Sequence, residues 1–292
     1  MKAALKILVI ILILNMMAVS VLGSDTGTTE EGQLHIKQVS SANELVKEKS
    51  GDKLAILLVD EFSPGDKLCF KADKSKFLWI RVSSYIPEQL IYMPSGYFEF
   101  FIPNGQLLRG HDAKHFSGKQ IVSARFASEK DIKKYRNLAL NRLDVPYASE
   151  MNKSDSPLHS LSDASIAVEN GEVMGYPHAY ANRVTRNDGE FYARNSIDGM
   201  AVENTHGFYP FHSWSGGKYE DLSYTVYFGR KVTVDKVVLS LRSDYRIIDG
   251  LEHDTYWKEA VIEFSDGEEI TINPVKSGKK QEFKFDAHTT YA

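Results

Sequence analysis

Short apolar runs separated by turn residues dominate the chain from His35 to Ser128. Residues 54–59 are continuously apolar, and residues 76–82, 97–102 and 120–126 are rich in aromatic and β-branched side chains, which favour strands. Pro, Gly and Asn, which favour tight turns, separate the runs at residues 63–66, 94–96 and 103–105. Several short strands punctuated in this way predict a β-sandwich.

The pattern changes after this region. Ser128 and Asp131 have the spacing of a capping box, and Ile132, Tyr135 and Leu138 recur at helical spacing, so we expect one short helix. This helix closes an N-terminal sandwich at residues 35–143. Residues 144–174 are rich in polar residues with little apolar periodicity, which predicts a linker between domains.

Strand-like patterns return in the last part of the chain. Residues 222–228 alternate between apolar and polar, and residues 232–241 are strongly β-branched. The Ser-Asp-Gly turn at residues 265–267 joins two further runs as a hairpin. We therefore predict an all-β fold with two β-sandwich domains, the second at residues 175–292.

The first 23 residues have the pattern of a secretory signal peptide. Lys2 and Lys6 lead into an apolar run at residues 7–22, and Gly23 is a small residue at the expected cleavage point. An uncleaved membrane anchor is the alternative, because the run is just long enough to span a bilayer. Cleavage leaves a flexible lead-in at residues 24–34 and a protein that is secreted, periplasmic or on the cell surface.

Composition and charge narrow the function classes. Among 292 residues, 35 Lys and Arg against 39 Asp and Glu give a net charge of −4, which does not favour nucleic acid as a partner. Once the signal is removed, nothing predicts a membrane partner. Cys69 is the only cysteine, so an intramolecular disulfide is impossible, and its strand-like surroundings predict a buried apolar role.

Catalytic signatures with a defined spacing are absent. The sequence has no GxSxG, no Walker loop, no GxGxxG after a strand and no HExxH, so we assign no catalytic residue and no certain cofactor. A polysaccharide hydrolase at the domain interface stays an alternative, because it needs only two well-separated carboxylates. Its candidate carboxylates, with His253 beside them, are Asp244, Asp249, Glu252 and Asp254.

A loop-like segment at residues 205–214 is unusually rich in aromatic residues and histidines. Sugar rings have an apolar C–H face and a polar rim, so their sites combine flat aromatic side chains with hydrogen-bonding groups. Core packing of the tryptophans is an equally good reading. The candidate ligand-binding residues are His206, Trp214, Arg242, His253 and Trp257.

Four features in order resemble a known family. They are the Ala-Arg-Asn-Ser-Ile-Asp-Gly segment at residues 193–199, Trp214, the strand ending at residues 227–230 and the V-x-x-V strand at residues 234–239. Together they resemble the galactose-binding-like domains of discoidin and coagulation-factor C-type proteins. The resemblance implies a jelly roll that binds carbohydrate through loops at one end. The final strands of that family have no counterpart here, so we expect a jelly roll lacking its last strands.

The same resemblance implies a structural calcium ion at Asp198, because the family's Asp at this turn often joins backbone carbonyls around that cation. The sequence departs from the family pattern at Met200, although Glu203, Asn204 and Thr205 are close enough to substitute. A carboxylate that only stabilises the turn is the alternative.

Residues 135–141 and 176–182 also resemble the corresponding segments of uncharacterised two-domain exported bacterial proteins, a resemblance that brings no activity. The sequence as a whole predicts an exported, non-catalytic protein that binds a glycan or polysaccharide through its C-terminal domain. A protein-adhesion module is the remaining alternative, and it would present an exposed apolar patch to a protein partner.

Overall fold

The computed structural model describes residues 32–145, 174–201, 213–242 and 256–292. Every strand pairing within these ranges is antiparallel, and helices are few and short, which confirms the all-β prediction. The predicted signal peptide and nearly all of the predicted linker lie outside the described residues. Within the described ranges, no helix is both long and apolar enough to cross a membrane.

Eight strands of the N-terminal region form two four-stranded sheets. One sheet has the order β2-β1-β4-β7 and the other has the order β3-β8-β5-β6. Their bounds are β1 Leu34–Val39, β2 Leu45–Gly51, β3 Leu54–Val59, β4 Lys67–Lys71, β5 Lys76–Arg81, β6 Gln89–Met93, β7 Tyr97–Phe101 and β8 Gln120–Phe126. The four runs singled out in the sequence are therefore β3, β5, β7 and β8.

The facing sides of the two sheets enclose one large apolar core. Phe70 and Phe98 stack at its centre with ring centroids 5.8 Å apart, and both are almost fully buried. Cys69 is buried beside this core, as predicted, and its burial raises the pKa of the thiol to about 11. The thiol is therefore protonated at neutral pH.

Strand β3 lies at the edge of its sheet, and its side chains alternate between exposed and buried along its whole length. Leu57 is 5% exposed, whereas its neighbour Leu58 is 64% exposed, although the whole run is apolar in sequence. Lys47 of β2 covers part of the outer edge, because its ammonium donates to the carbonyl of Leu58 at 3.2 Å and pairs with Asp60.

The predicted capping box is present. Ser128 and Asp131 exchange side-chain to backbone hydrogen bonds at the start of the helix α2, Glu129–Lys134, and a shorter helix α1 spans Gly105–Leu108. After α2 the chain lays Tyr135 edge-on against Trp79 of β5, with ring centroids 6.1 Å apart. The chain then leads directly to the junction with the C-terminal region.

The C-terminal region contains three two-stranded antiparallel sheets, β9–β10, β11–β14 and β12–β13. The hairpin predicted around residues 265–267 is β12–β13, with Ala260 opposite Ile272. The chain ends soon after β14, which pairs along the length of β11. The bounds are β9 His178–Ala181, β10 Tyr224–Tyr227, β11 Val232–Leu239, β12 Ala260–Glu263, β13 Glu269–Ile272 and β14 Gln281–Thr290.

Two small apolar clusters support these sheets. One is centred on Leu222, Ala260 and Ile272, and the other on Ala179, Ala181, Ala193 and Ile197. Trp214 packs against both clusters and so connects them.

Candidate functional site

An aromatic cluster lies where the two small apolar clusters meet. The rings of Trp214 and Trp257 are 5.1 Å apart between centroids with their planes tilted by 43°, and Tyr224 lies 4.9 Å from Trp214 on another side. Both tryptophans are half-buried. The indole N–H of Trp214 donates to the carbonyl of Arg183 at 3.0 Å, which fixes that ring in place.

Arg242 reaches the same cluster from the residues after β11. Its guanidinium donates through Nη1 to the Ser213 hydroxyl at 3.0 Å, directly beside Trp214. Three of the five residues predicted to bind a ligand, Trp214, Arg242 and Trp257, are thus brought together. The other two, His206 and His253, lie outside the described residues.

This arrangement is compatible with both predicted roles of the tryptophans, core packing and ligand contact. Both residues pack against the cluster of Leu222, Ala260 and Ile272, and both keep part of their surface exposed. A Cβ on Gly216 would lie 2.4 Å from a terminal methyl group of Leu222, so a larger residue here would force that buried side chain to move.

Asp198 lies in a second polar site, on the far side of a series of short 3-10 turns at residues 185–196. Its Oδ1 accepts a hydrogen bond from the backbone N–H of Met200 at 2.7 Å, and Gly199 between them has φ of 81°. Burial raises the pKa of the Asp198 carboxyl to about 6, although the positive charges of Arg194 and Arg142 act in the opposite direction.

These surroundings bear on the calcium prediction. The charged neighbours of Asp198 are guanidinium groups, and no group of three potential metal-ligating side chains occurs in the part of the chain that the structure describes. The hydrogen bond to Met200 is the turn-stabilising contact of the alternative reading. Glu203, Asn204 and Thr205 lie outside the described residues, so calcium at Asp198 stays a prediction.

Residues 141–144 join the two regions through buried hydrogen bonds. Asn141 donates through its side chain to the carbonyl of Pro177 at 2.7 Å, and its backbone N–H donates to the carbonyl of Ile197 at 2.8 Å. Asp144 accepts from the backbone of Ala179 at 2.8 Å and lies 2.7 Å from Nδ1 of His178. The predicted start of the linker is therefore a firmly bonded junction up to Val145.

Arg194 completes the junction from the C-terminal side. It is buried, and it donates to the carbonyls of Asp144 at 2.8 Å and of Arg142 at 3.1 Å. A Cβ on Gly110 would lie 2.6 Å from its Nη1, so a glycine at this position makes room for the guanidinium. Sequence reasoning did not single out Arg142, Asp144 or Arg194, because their partners are 34 to 56 residues away along the chain.

Two cavities flank the junction. One, of about 340 Å³ and open to solvent, has both apolar and polar lining, the polar residues including His111, His115, Arg142 and Asp198. The other, of about 370 Å³, is lined by aromatic and aliphatic side chains, and Arg230 lies 4.8 Å from the centre of the Phe77 ring there. The four carboxylates of the predicted hydrolase lie outside the described residues.

No model of a known protein family matches the sequence, and no curated protein or solved structure matches it significantly. The resemblance to galactose-binding-like domains and the jelly-roll topology therefore stay predictions.

Proposed function

We propose that this protein is an exported, non-catalytic carbohydrate-binding protein that holds a glycan at Trp214, Trp257 and Arg242. The observation that carries the proposal is the contact between the two partly exposed tryptophan rings, with the guanidinium of Arg242 bonded to Ser213 beside them.

The chemistry of these three side chains suits a sugar. An indole face packs against the C–H groups of a pyranose ring, and a guanidinium donates to ring hydroxyls or to the ring oxygen. The rings are held from behind by packing and by the bond from Trp214 to Arg183, so little side-chain entropy is lost when a ligand binds. His206 and His253 belong to two segments whose described neighbours are Ser213, Arg242 and Tyr256. Each of these three neighbours lies next to the cluster in sequence or in space.

The test is binding of the purified protein to a glycan array, followed by titration of the best ligand with tryptophan fluorescence as the signal. Trp257→Ala should weaken binding at least tenfold, and Trp257→Phe should retain part of it because a smaller flat ring remains. Tyr291→Ala is the matched control, since Tyr291 is an exposed aromatic residue of the same region outside the pair. We expect it to change the affinity less than twofold.

Equal binding by folded Trp257→Ala and by the native protein would contradict the proposal. Recovery of a shortened glycan after incubation would instead indicate a hydrolase, so the ligand should be recovered and its length measured. Failure of the folded native protein to bind any glycan would favour the protein-adhesion alternative.

A further inference from the structure

The cavity of about 340 Å³ at the junction is lined by residues of both regions. Residues 85–87 and 110–115 of the N-terminal region form one side, and Arg142 with residues 194–200 forms the other. It shares no residue with the tryptophan pair, so any ligand it holds is bound independently of the proposed function.

Arg142 is the cation of this cavity whose guanidinium is held at one end only. Its backbone N–H donates to Oε1 of Gln89 at 3.4 Å, its carbonyl accepts from Arg194 at 3.1 Å, and its Nε donates to the carbonyl of Asp198 at 2.8 Å. Within the described ranges, its Nη1 and Nη2 form neither a hydrogen bond nor an ion pair. The guanidinium is therefore fixed in direction, with two N–H groups available to one carboxylate in an end-on fork.

The charges around Arg142 select the kind of anion. Two guanidinium groups, of Arg142 and Arg194, face the cavity against one carboxyl, that of Asp198. The guanidinium of Arg194 is already bonded to the carbonyls of Asp144 and Arg142, so of the two arginines Arg142 is the one placed to bind a ligand. One planar guanidinium fork matches a singly charged carboxylate, whereas a phosphate dianion would need a second available cation. His115 is buried, and its burial lowers the pKa of the imidazole, so at neutral pH it acts as an uncharged hydrogen-bonding group.

The remaining walls favour a ligand that is more than a bare anion. Tyr85 stands at the rim with 56% of its surface exposed, and Ile86, Pro87 and Met200 add apolar surface near it. His111 and His115 lie on the same side, with ring centroids 6.1 Å apart, and add two imidazole rings to the lining. Apolar surface, two imidazole rings and one guanidinium fork for a carboxylate occur together in this cavity.

We propose that this cavity binds a sugar acid, a single uronic-acid unit whose carboxylate is held by Nη1 and Nη2 of Arg142 and whose ring lies against Tyr85. The ring of such a unit lies at the open mouth of the cavity, so the chain on either side of it is free to continue into solvent.

The test is calorimetric titration of the purified protein with glucuronate, glucose and inorganic phosphate at neutral pH. Glucuronate should bind saturably and at least tenfold more tightly than either of the others. Arg142→Gln should weaken glucuronate binding at least tenfold, and Arg142→Lys should restore only part of the affinity, since an ammonium supplies the charge without the fork. Arg136→Gln, an exposed arginine six residues earlier in the same segment, is the matched control and should change the affinity less than twofold.

Several results would overturn this proposal. They are equal binding of glucose and glucuronate, tighter binding of phosphate, equal effects of Arg142→Gln and Arg136→Gln, or no binding to a folded native protein. Thermal unfolding of each variant shows that it is folded. Trp257→Ala should leave glucuronate binding at this cavity unchanged, so a failure here is distinguishable from a failure at the tryptophan pair.

Discussion

The N-terminal and C-terminal regions bury their apolar side chains to very different extents. In the first region two four-stranded sheets enclose one continuous core with aromatic residues at its centre. In the second, three two-stranded sheets share two small clusters, and many of the large side chains, including both tryptophans, are only half-buried. The first arrangement buries its large apolar side chains almost completely, whereas the second leaves aromatic side chains partly exposed.

The largest expected effect comes from truncating one buried side chain in the core of each region. Phe70→Ala should lower the free energy of unfolding by about 3–5 kcal/mol, because it removes a fully buried ring from a core that cannot collapse around it. Ile272→Ala should cost only about 2 kcal/mol, since half-buried neighbours can move into the space. Denaturant unfolding of both variants measures the difference. Equal losses would mean that the two regions are equally well packed.

A smaller effect is expected from the buried acid on the C-terminal side of the junction. The Asp198 carboxyl has its pKa raised by burial from 3.8 to about 6, so the folded state holds the proton more tightly than the unfolded chain does. Its contribution to stability is complete below pH 3.8 and is lost as the pH rises through 6. The total loss is roughly 3 kcal/mol. Asp198→Asn cannot titrate and should remove this part of the pH dependence.

The measurement is the free energy of unfolding of both proteins between pH 3.5 and pH 7.5. The difference between native protein and Asp198→Asn should change steadily across this range in the direction given. A constant difference would show that Asp198 has an ordinary pKa and is not buried as described.

The smallest expected effect tests how firmly the two regions are joined. Asp144→Ala leaves the buried N–H of Ala179 and the ring of His178 without their carboxylate partner, so it should cost about 1–3 kcal/mol. Asp221→Ala removes an exposed carboxylate paired with Arg183 and should leave stability nearly unchanged. If both variants unfold alike, the junction contributes little to holding the regions together.

The sequence predicted the strands of the N-terminal core well. Residues such as Ile80 and Val122 belong to runs of β-branched and aromatic residues, and both are fully buried between the two sheets. The sequence did not single out β2. This strand is exposed on both faces, and its charged residues Lys47, Glu48 and Lys49 are typical of a loop. Trp214 and Trp257 were grouped from residue type alone, and their rings are in contact. Arg142 and Asp144 were missed because a linker-like composition carries no sign of long-range hydrogen bonds.

The lysine at the edge of β3 has a consequence for the behaviour of the protein at high concentration. Leu54, Ile56 and Leu58 form a bare apolar row on an outermost strand, the kind of surface on which a strand from another molecule can add and start a fibre. The ammonium of Lys47 already occupies the carbonyl of Leu58, an acceptor that an added strand would need, and it places a charge where the incoming backbone would lie. We therefore expect Lys47 to oppose the addition of a foreign strand at this edge.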